Sequence, residues 1–76
     1  MITPIDTALA DGLASGLKAI GRPQQWLADE MTSRGHKWHQ TTVYRVISAN
    51  RRVTIGEAVD AVAIIRAELE RIVVQP

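Results

Sequence analysis

Four side chains capable of hydrogen bonding or methyl contact fall on one face of a predicted helix in the middle of the chain. They are Gln40, Thr41, Tyr44 and Arg45. In a DNA major groove, an Arg can pair bidentately with guanine, a Gln can pair with adenine, and a Thr methyl can touch a thymine methyl. A Tyr can place its ring against a sugar or thymine and its hydroxyl against a phosphate. The pattern predicts a surface that reads base edges.

The charge of the chain is unevenly distributed. Residues 18–52 carry a net charge of +5, whereas residues 1–17 and 53–76 each carry −2, so the total is only +1. Clustered Lys and Arg release condensed counterions from a phosphate backbone, which favours binding to a polyanion. A solvated basic surface without a partner is the alternative interpretation.

The composition argues against several other kinds of site. The chain has no cysteine, which excludes disulfides, thiol catalysis and zinc sites with Cys ligands. His36 and His39 are three residues apart but lack further ligands, so we expect no metal site. No nucleophile accompanies Asp29, Glu30 or Asp60, so we expect no enzyme, no cofactor and no small-molecule substrate. The N-terminus has no secretory pattern and no membrane span is present, so we expect a cytoplasmic protein without membrane contact.

Helix-start and helix-stop signals divide the 76 residues into one all-α domain. Thr3 and Pro4 begin helix 1, which Gly21 ends, and its apolar stripe includes Ile5 and Leu9. A helix beginning at Pro23 and ending before Gly35 follows. The next helix spans residues 40–48. A capping box of Thr54 and Glu57 opens the last helix, which runs over about residues 55–73, either whole or broken in two. The prediction is a bundle of four or five helices.

The second and third helices are predicted to pack as a helix-turn-helix. Leu27, Ala28 and Met31 should face Val43 and Val46, with the small Ala28 allowing a close approach. Trp38 is expected to fill the core below the turn. Trp26 can either flank the core or lie exposed.

These residues resemble the Cro/repressor-like (XRE) helix-turn-helix regulators over about residues 17–65. The likeness rests on Gln24, Leu27 and Ala28 in the first motif helix and on Thr42-Val43 in the second. The chain has Ile47 where the family usually has Glu and Ala49 where it usually has Gly, so we expect the next residue, Asn50, to take the left-handed conformation. Its longer turn, TSRGHKW, is similar to that of a subgroup with Gly-His-x-Trp.

The resemblance implies a lambda-repressor-like DNA-binding domain with its motif at residues 23–48. Its function would be that of a sequence-specific regulator of transcription, a repressor or Cro-type protein of the phage type. The partner would be double-stranded DNA with a pseudo-palindromic operator, bound by a homodimer. Bases would face Gln40, Thr41, Tyr44 and Arg45, and the expected phosphate contacts are Gln24, Lys37, His39, Thr42, Arg51 and Arg52.

Two questions remain open at the level of the sequence. The apolar stripe of the last helix can pack against helix 1 or form a dimer contact, which would then involve Leu69, Ile72 and Val73. The alternative function is a helical protein-interaction module, such as an antitoxin-like protein or a phage anti-host factor, and Ile47 and Trp26 are the residues that favour it. Binding that is insensitive to salt would indicate this alternative.

Overall fold

The protein folds into a small four-helix bundle. The structure, a computed structural model, describes residues 3–74, which contain no strand. The helices are α1 (Pro4–Ile20), α2 (Gln24–Ser33), α3 (Gln40–Ile47) and α4 (Ile55–Val74). The predicted all-α fold is confirmed, and α4 is one continuous helix. None of the helices in the described part is long and apolar enough to cross a membrane.

Capping boxes begin α1 and α4; the sequence predicts the box at α4 and, for α1, an N-cap at Thr3. At α1, the backbone N–H of Thr3 donates to Asp6 Oδ2 (3.0 Å) and the backbone N–H of Asp6 donates to Thr3 Oγ1 (3.2 Å). At α4, Thr54 and Glu57 make the same exchange at 2.9 and 3.1 Å. Each box satisfies backbone donors that have no partner within the helix. Pro23 is the N-cap of α2 and not its first residue.

The first three helices end in the same hydrogen-bond pattern, in which two backbone N–H groups reach back to carbonyls of the last turn. The pattern requires one residue with positive φ. That residue is Gly21 after α1 (69°), Gly35 after α2 (95°) and Ala49 after α3 (59°). The expectation that Asn50 would be left-handed is therefore wrong. The backbone N–H of Asn50 donates to the carbonyl of Arg45 (2.8 Å), and this hydrogen bond requires the left-handed conformation at the preceding residue, Ala49.

The core joins all four helices. It is formed by Leu13, Leu17 and Ile20 of α1, Leu27, Ala28 and Met31 of α2, Val43 and Val46 of α3, and Ala61, Ile64 and Ile65 of α4. Trp38 is buried among them, as predicted. At Gly16 the helices α1 and α4 approach so closely that the methyl group of an alanine at this position would lie 2.8 Å from Ile65 Cγ2.

The apolar stripe predicted for α4 does not pack in this core, apart from Ile65. Val62, Leu69, Ile72 and Val73 are exposed, and so is Ile5 at the start of α1. For Val62 and Leu69 the reason is the rotation of α4: the buried residues Ala61, Ile64 and Glu68 define its inner side, and Val62 and Leu69 each follow one of them by a single step of about 100°. Ile72, one turn after Glu68, is in line with the inner side but is exposed near the end of the helix.

Arg66 and Glu70 are four residues apart on α4, a spacing that predicts an ion pair along the helix, but the described residues contain no such pair. Neither side chain has an oppositely charged partner within 4.0 Å among the described residues. Glu68 instead binds Arg22 (2.6 Å) and Arg71 (2.8 Å). The contact with Arg22 joins the end of α1 to the later half of α4.

Candidate nucleic-acid interface

The outer face of α3 presents the four side chains that the sequence predicts to read bases. Val43 and Val46 are buried and set the rotation of the helix. All four side chains on the other side are exposed, and Tyr44, the largest, is 57% exposed. The structure therefore brings together Gln40, Thr41, Tyr44 and Arg45 on one surface.

The first residues of α2 and α3 meet at one end of this surface. The side-chain amide of Gln40 donates to the Oε1 of Gln24. The two residues expected to contact a base and a phosphate thus lie against each other. Amide groups retain further donors and acceptors, so this pairing leaves both side chains able to bind a ligand.

The entry to α3 has one capping contact and two exposed basic or ionisable side chains. The backbone N–H of His39 donates to Thr42 Oγ1 at 3.2 Å, so this hydroxyl supports the helix start. Thr42 itself is half-buried, whereas Lys37 and His39 are exposed. Thr42 therefore has a local structural partner in addition to its predicted phosphate contact.

The segment of the sequence that contains α3 carries positive charge and no acidic residue. Between Glu30 and Glu57 the chain has no acid and five Lys or Arg. In the part of the chain that the structure describes, Lys37 and Arg45 have no acidic group within 4.0 Å, the limit for an ion pair. Arg52 is 65% exposed and lies 3.7 Å from Asp6 Oδ2. Among the described residues, Lys37 and Arg45 are therefore without an ion-pair partner, whereas Arg52 forms a long ion pair with Asp6 but keeps most of its side chain exposed to an anionic partner.

Arg51 differs from Arg52 because its guanidinium is held by contacts with the protein, although about a third of its side chain is exposed. Its Nη2 lies 3.2 Å from Glu57 Oε2, and its Cζ lies 5.6 Å from the centre of the Trp38 ring. Glu57 also accepts a hydrogen bond from Trp38 Nε1 at 2.7 Å. The sequence predicts a phosphate contact for Arg51, whereas the structure gives it a structural partner.

Glu57 connects α4 to the segments before and after α3. Trp38 precedes α3 by two residues and Arg51 follows it by four, and both bind the same carboxylate. Burial raises the pKa of Glu57, but hydrogen bonds from the Thr54 N–H, Trp38 and Arg51 outweigh it and lower this pKa to about 2. The carboxylate is therefore charged at neutral pH. The sequence identifies Glu57 only as a capping residue, because its contacts with Trp38 and Arg51 have no local signature.

A second link fixes the turn between α2 and α3. His36 Nε2 lies 2.7 Å from Asp60 Oδ2, and Arg34 Nη1 lies 3.4 Å from Asp60 Oδ1. The hydrogen bond from His36, with a smaller contribution from Arg34, lowers the pKa of Asp60 despite partial burial. His36 thus contacts α4, whereas His39 is exposed at the start of α3. No pattern in the sequence indicates Asp60 as a positioning residue.

The two residues that favour the protein-interaction alternative are only partly accessible. Ile47 and Trp26 both pack against the core. The guanidinium of Arg22 lies over the Trp26 ring, 5.5 Å from its centre. Trp26 therefore flanks the core.

The chain matches no protein-family model, no curated protein and no solved structure. The interpretation of this surface therefore depends on its own geometry and chemistry.

Proposed function

We propose that this protein is a sequence-specific, double-stranded DNA-binding regulator of transcription that inserts α3 into the major groove. One observation carries the proposal: the exposed face of α3 bears Gln40, Thr41, Tyr44 and Arg45, in a segment without any acidic residue between Glu30 and Glu57. Acidic side chains would repel phosphates on both sides of a groove, whereas the four side chains match the groups on base edges.

The dimensions of α3 support the proposal. Eight residues at 1.5 Å each make a helix about 12 Å long. A helix with its side chains is about 10–12 Å across, so the major groove, which is about 12 Å wide, admits α3 with its outer residues against the bases. The exposed Lys37 and Arg52 lie in the chain before and after α3, and they supply contacts with phosphates. The likeness of the motif to the XRE regulators agrees with this role.

As a homodimer, the protein would act by occlusion. Two copies of α3 would occupy successive major grooves on one face of a pseudo-palindromic operator, with half-sites about 34 Å apart. Bound in this way, a repressor or Cro-type protein prevents access of the polymerase to a promoter that overlaps the site.

Selection of bound sequences from a random duplex library, at two salt concentrations, tests the proposal. We expect an enriched inverted repeat, with affinity that falls as salt rises because phosphate contacts release counterions. Recovery of unenriched DNA that is lost at moderate salt would contradict sequence-specific binding. Salt-insensitive binding to a protein, without DNA binding, would support the interaction-module alternative instead.

A further inference from the structure

One face of α4 carries a regular row of exposed side chains. The α4 row consists of Ile55, Val59, Val62, Arg66, Leu69 and Val73. Its five apolar members are 40–85% exposed. Their separations alternate between four and three residues, which is the spacing with which one helix packs against another in a coiled coil. Because the core contacts a different side of α4, the row has no partner within residues 3–74.

Grooves adjoin the α4 row. The first, of about 500 Å³, lies between α1 and α4, and its lining includes Leu9 and Gly12 of α1 together with Val62 and Arg66 of α4. The second, of about 420 Å³, is lined by Ala58, Val59, Val62, Ala63 and Arg66. Small residues in both linings leave room for the side chains of an approaching helix. The α4 row projects beside these grooves, so the row of one copy can fit into the groove of a second copy.

The exposed apolar surface is concentrated on this side of the molecule. Eight large hydrophobic side chains are exposed among the described residues, and all except Tyr44 belong to α1 or α4. Two neighbouring helices, each about 10 Å wide and up to about 30 Å long, form a face of about 600 Å² in projection. A standard protein interface takes about 800 Å² of accessible surface from each partner. The accessible surface of such a face is larger than its projection, so the face approaches the size of a standard interface.

We propose that the α4 row is a homodimer interface in which two copies of α4 pack antiparallel around a two-fold axis near Val62 and Arg66. The row of one copy then fills the groove of the other, and both copies bury their exposed apolar residues. This inference supplies the two copies that the proposed function requires. It is carried by the α1–α4 face alone, and its test needs no DNA.

Arg66 determines the orientation of the two helices. A parallel dimer in register would place Arg66 against Arg66 of the second copy, and no acidic group among the described residues of its own chain lies within 4.0 Å to offset the repulsion. In the antiparallel dimer, Arg66 instead lies opposite Val62, so its aliphatic stem packs and its guanidinium extends into water. Antiparallel helices also place opposite ends of their dipoles side by side.

One of the two alternatives that the sequence left open is a dimer contact at Leu69, Ile72 and Val73. In the proposed interface, Leu69 and Val73 belong to the row, whereas Ile72 lies on its flank. The contact also extends along the helix to Ile55.

Sedimentation equilibrium over a range of protein concentrations tests the interface. We expect reversible dimerisation that Val62→Glu weakens by about tenfold or more, because it buries a charge in the contact. Ala67→Glu is the matched control: it introduces the same charge at an exposed position on another side of the same helix. Circular dichroism shows whether both variants fold. A chain that is monomeric at all concentrations, or that dimerises equally well with Val62→Glu, would overturn the inference.

Cross-linking tests the orientation, since the natural chain has no cysteine. In the antiparallel dimer the two copies of residue 73 are about 27 Å apart, beyond the reach of a disulfide. We therefore expect Ile55→Cys mixed with Val73→Cys to form a mixed disulfide dimer, and Val73→Cys alone to remain uncross-linked. Efficient self-cross-linking of Val73→Cys would contradict the antiparallel arrangement.

The dimer and the proposed function fail in different ways. A dimer that binds no duplex DNA would contradict the function and leave the interface intact. A monomer that still selects a single half-site would contradict the interface and leave base reading by α3 intact.

Discussion

At the scale of single residues, the basic side chains near α3 differ in the contacts that they make with the rest of the protein. Arg45 is exposed on the outer face of the helix and has no acidic partner among residues 3–74, and Arg52, in the loop that follows, is 65% exposed and lies 3.7 Å from Asp6 Oδ2. Arg51, beside it, binds Glu57 and Trp38. Three arginines within eight residues are therefore expected to play three different roles: reading a base, binding a phosphate and supporting the position of α3.

Substitution separates the first two roles. Arg45→Ala should weaken binding to the selected operator by about 1–3 kcal/mol and relax the preference at one base pair. Arg52→Ala should weaken binding to all duplexes alike and reduce the slope of log affinity against log salt by about one unit. Fluorescence anisotropy with operator and random DNA, at several salt concentrations, measures both effects.

Lys18→Ala is the control, because it removes one exposed positive charge from α1, outside the predicted site. It should leave affinity and preference close to those of the wild type. If Arg45→Ala reduces affinity for operator and random DNA equally, Arg45 does not read a base.

At the scale of elements, the end of α3 is strained. The same terminal hydrogen-bond pattern ends α1 and α2 with glycine, but it ends α3 with Ala49 at φ 59°. A left-handed conformation costs a residue with a Cβ about 1–2 kcal/mol relative to glycine. The hydrogen bond from Asn50 to the Arg45 carbonyl holds the chain in this conformation.

Ala49→Gly should therefore stabilise the protein, by about 1 kcal/mol after the greater freedom of glycine in the unfolded chain is taken into account. Urea unfolding at neutral pH measures the change. Gly35→Ala is the reverse control at the equivalent position after α2, where a methyl group would have no neighbour within 4 Å. It should destabilise by a similar amount. A loss of stability in Ala49→Gly would show that the turn is not strained.

At the scale of the whole molecule, buried or half-buried carboxylates join elements that are distant in sequence. Glu57 binds the segments on both sides of α3, and Glu68 binds Arg22 at the end of α1. The hydrogen bond from Arg71 outweighs burial at Glu68 and, with Arg22, lowers its pKa to about 2. The pKa of Asp6 is lowered chiefly by its hydrogen bonds with Thr3.

Acid should unfold the protein for this reason. A carboxylate whose pKa is lower in the folded than in the unfolded state stabilises the fold at any pH above its pKa in the unfolded state. This contribution is lost as the pH falls toward its pKa in the folded state. For Glu57 the loss occurs as the pH falls from about 4.5 to about 2, and the contribution of this residue to the free energy of unfolding is at most about 3 kcal/mol. Urea unfolding at pH 7, 4.5 and 3 should show falling stability.

Glu57→Gln isolates this contribution. The variant should be less stable than the wild type at pH 7 and should lose less stability between pH 4.5 and pH 3, because the amide does not titrate. Glu30→Gln, at an exposed position without an ion pair, should keep the wild-type pH dependence. An unchanged pH profile in Glu57→Gln would mean that its carboxylate does not link the elements as described.

Local patterns predicted most of the secondary structure. Caps at Thr3 and Thr54 and stop signals at Gly21 and Gly35 act within one helical turn, so they can be read from neighbouring residues. Val43 and Val46 likewise identify the inner side of α3, and therefore the outer side with Tyr44. The exposed face of α3 was predictable because the helix has only eight residues, and Val43 and Val46 identify the side that must turn toward the core.

The sequence alone determined the all-α fold, the pairing of α2 with α3 and the residues on the outer face of α3, because caps and apolar periodicity are local signals. It left open whether the last helix is whole or broken in two. Tertiary structure alone decided which side of α4 is buried, since its apolar residues surround more than half the helix. It also decided that Ala49 is left-handed and that Arg51 is held by Glu57. These outcomes depend on contacts between residues that are distant in the chain, or on the path between two elements, and no local spacing encodes them.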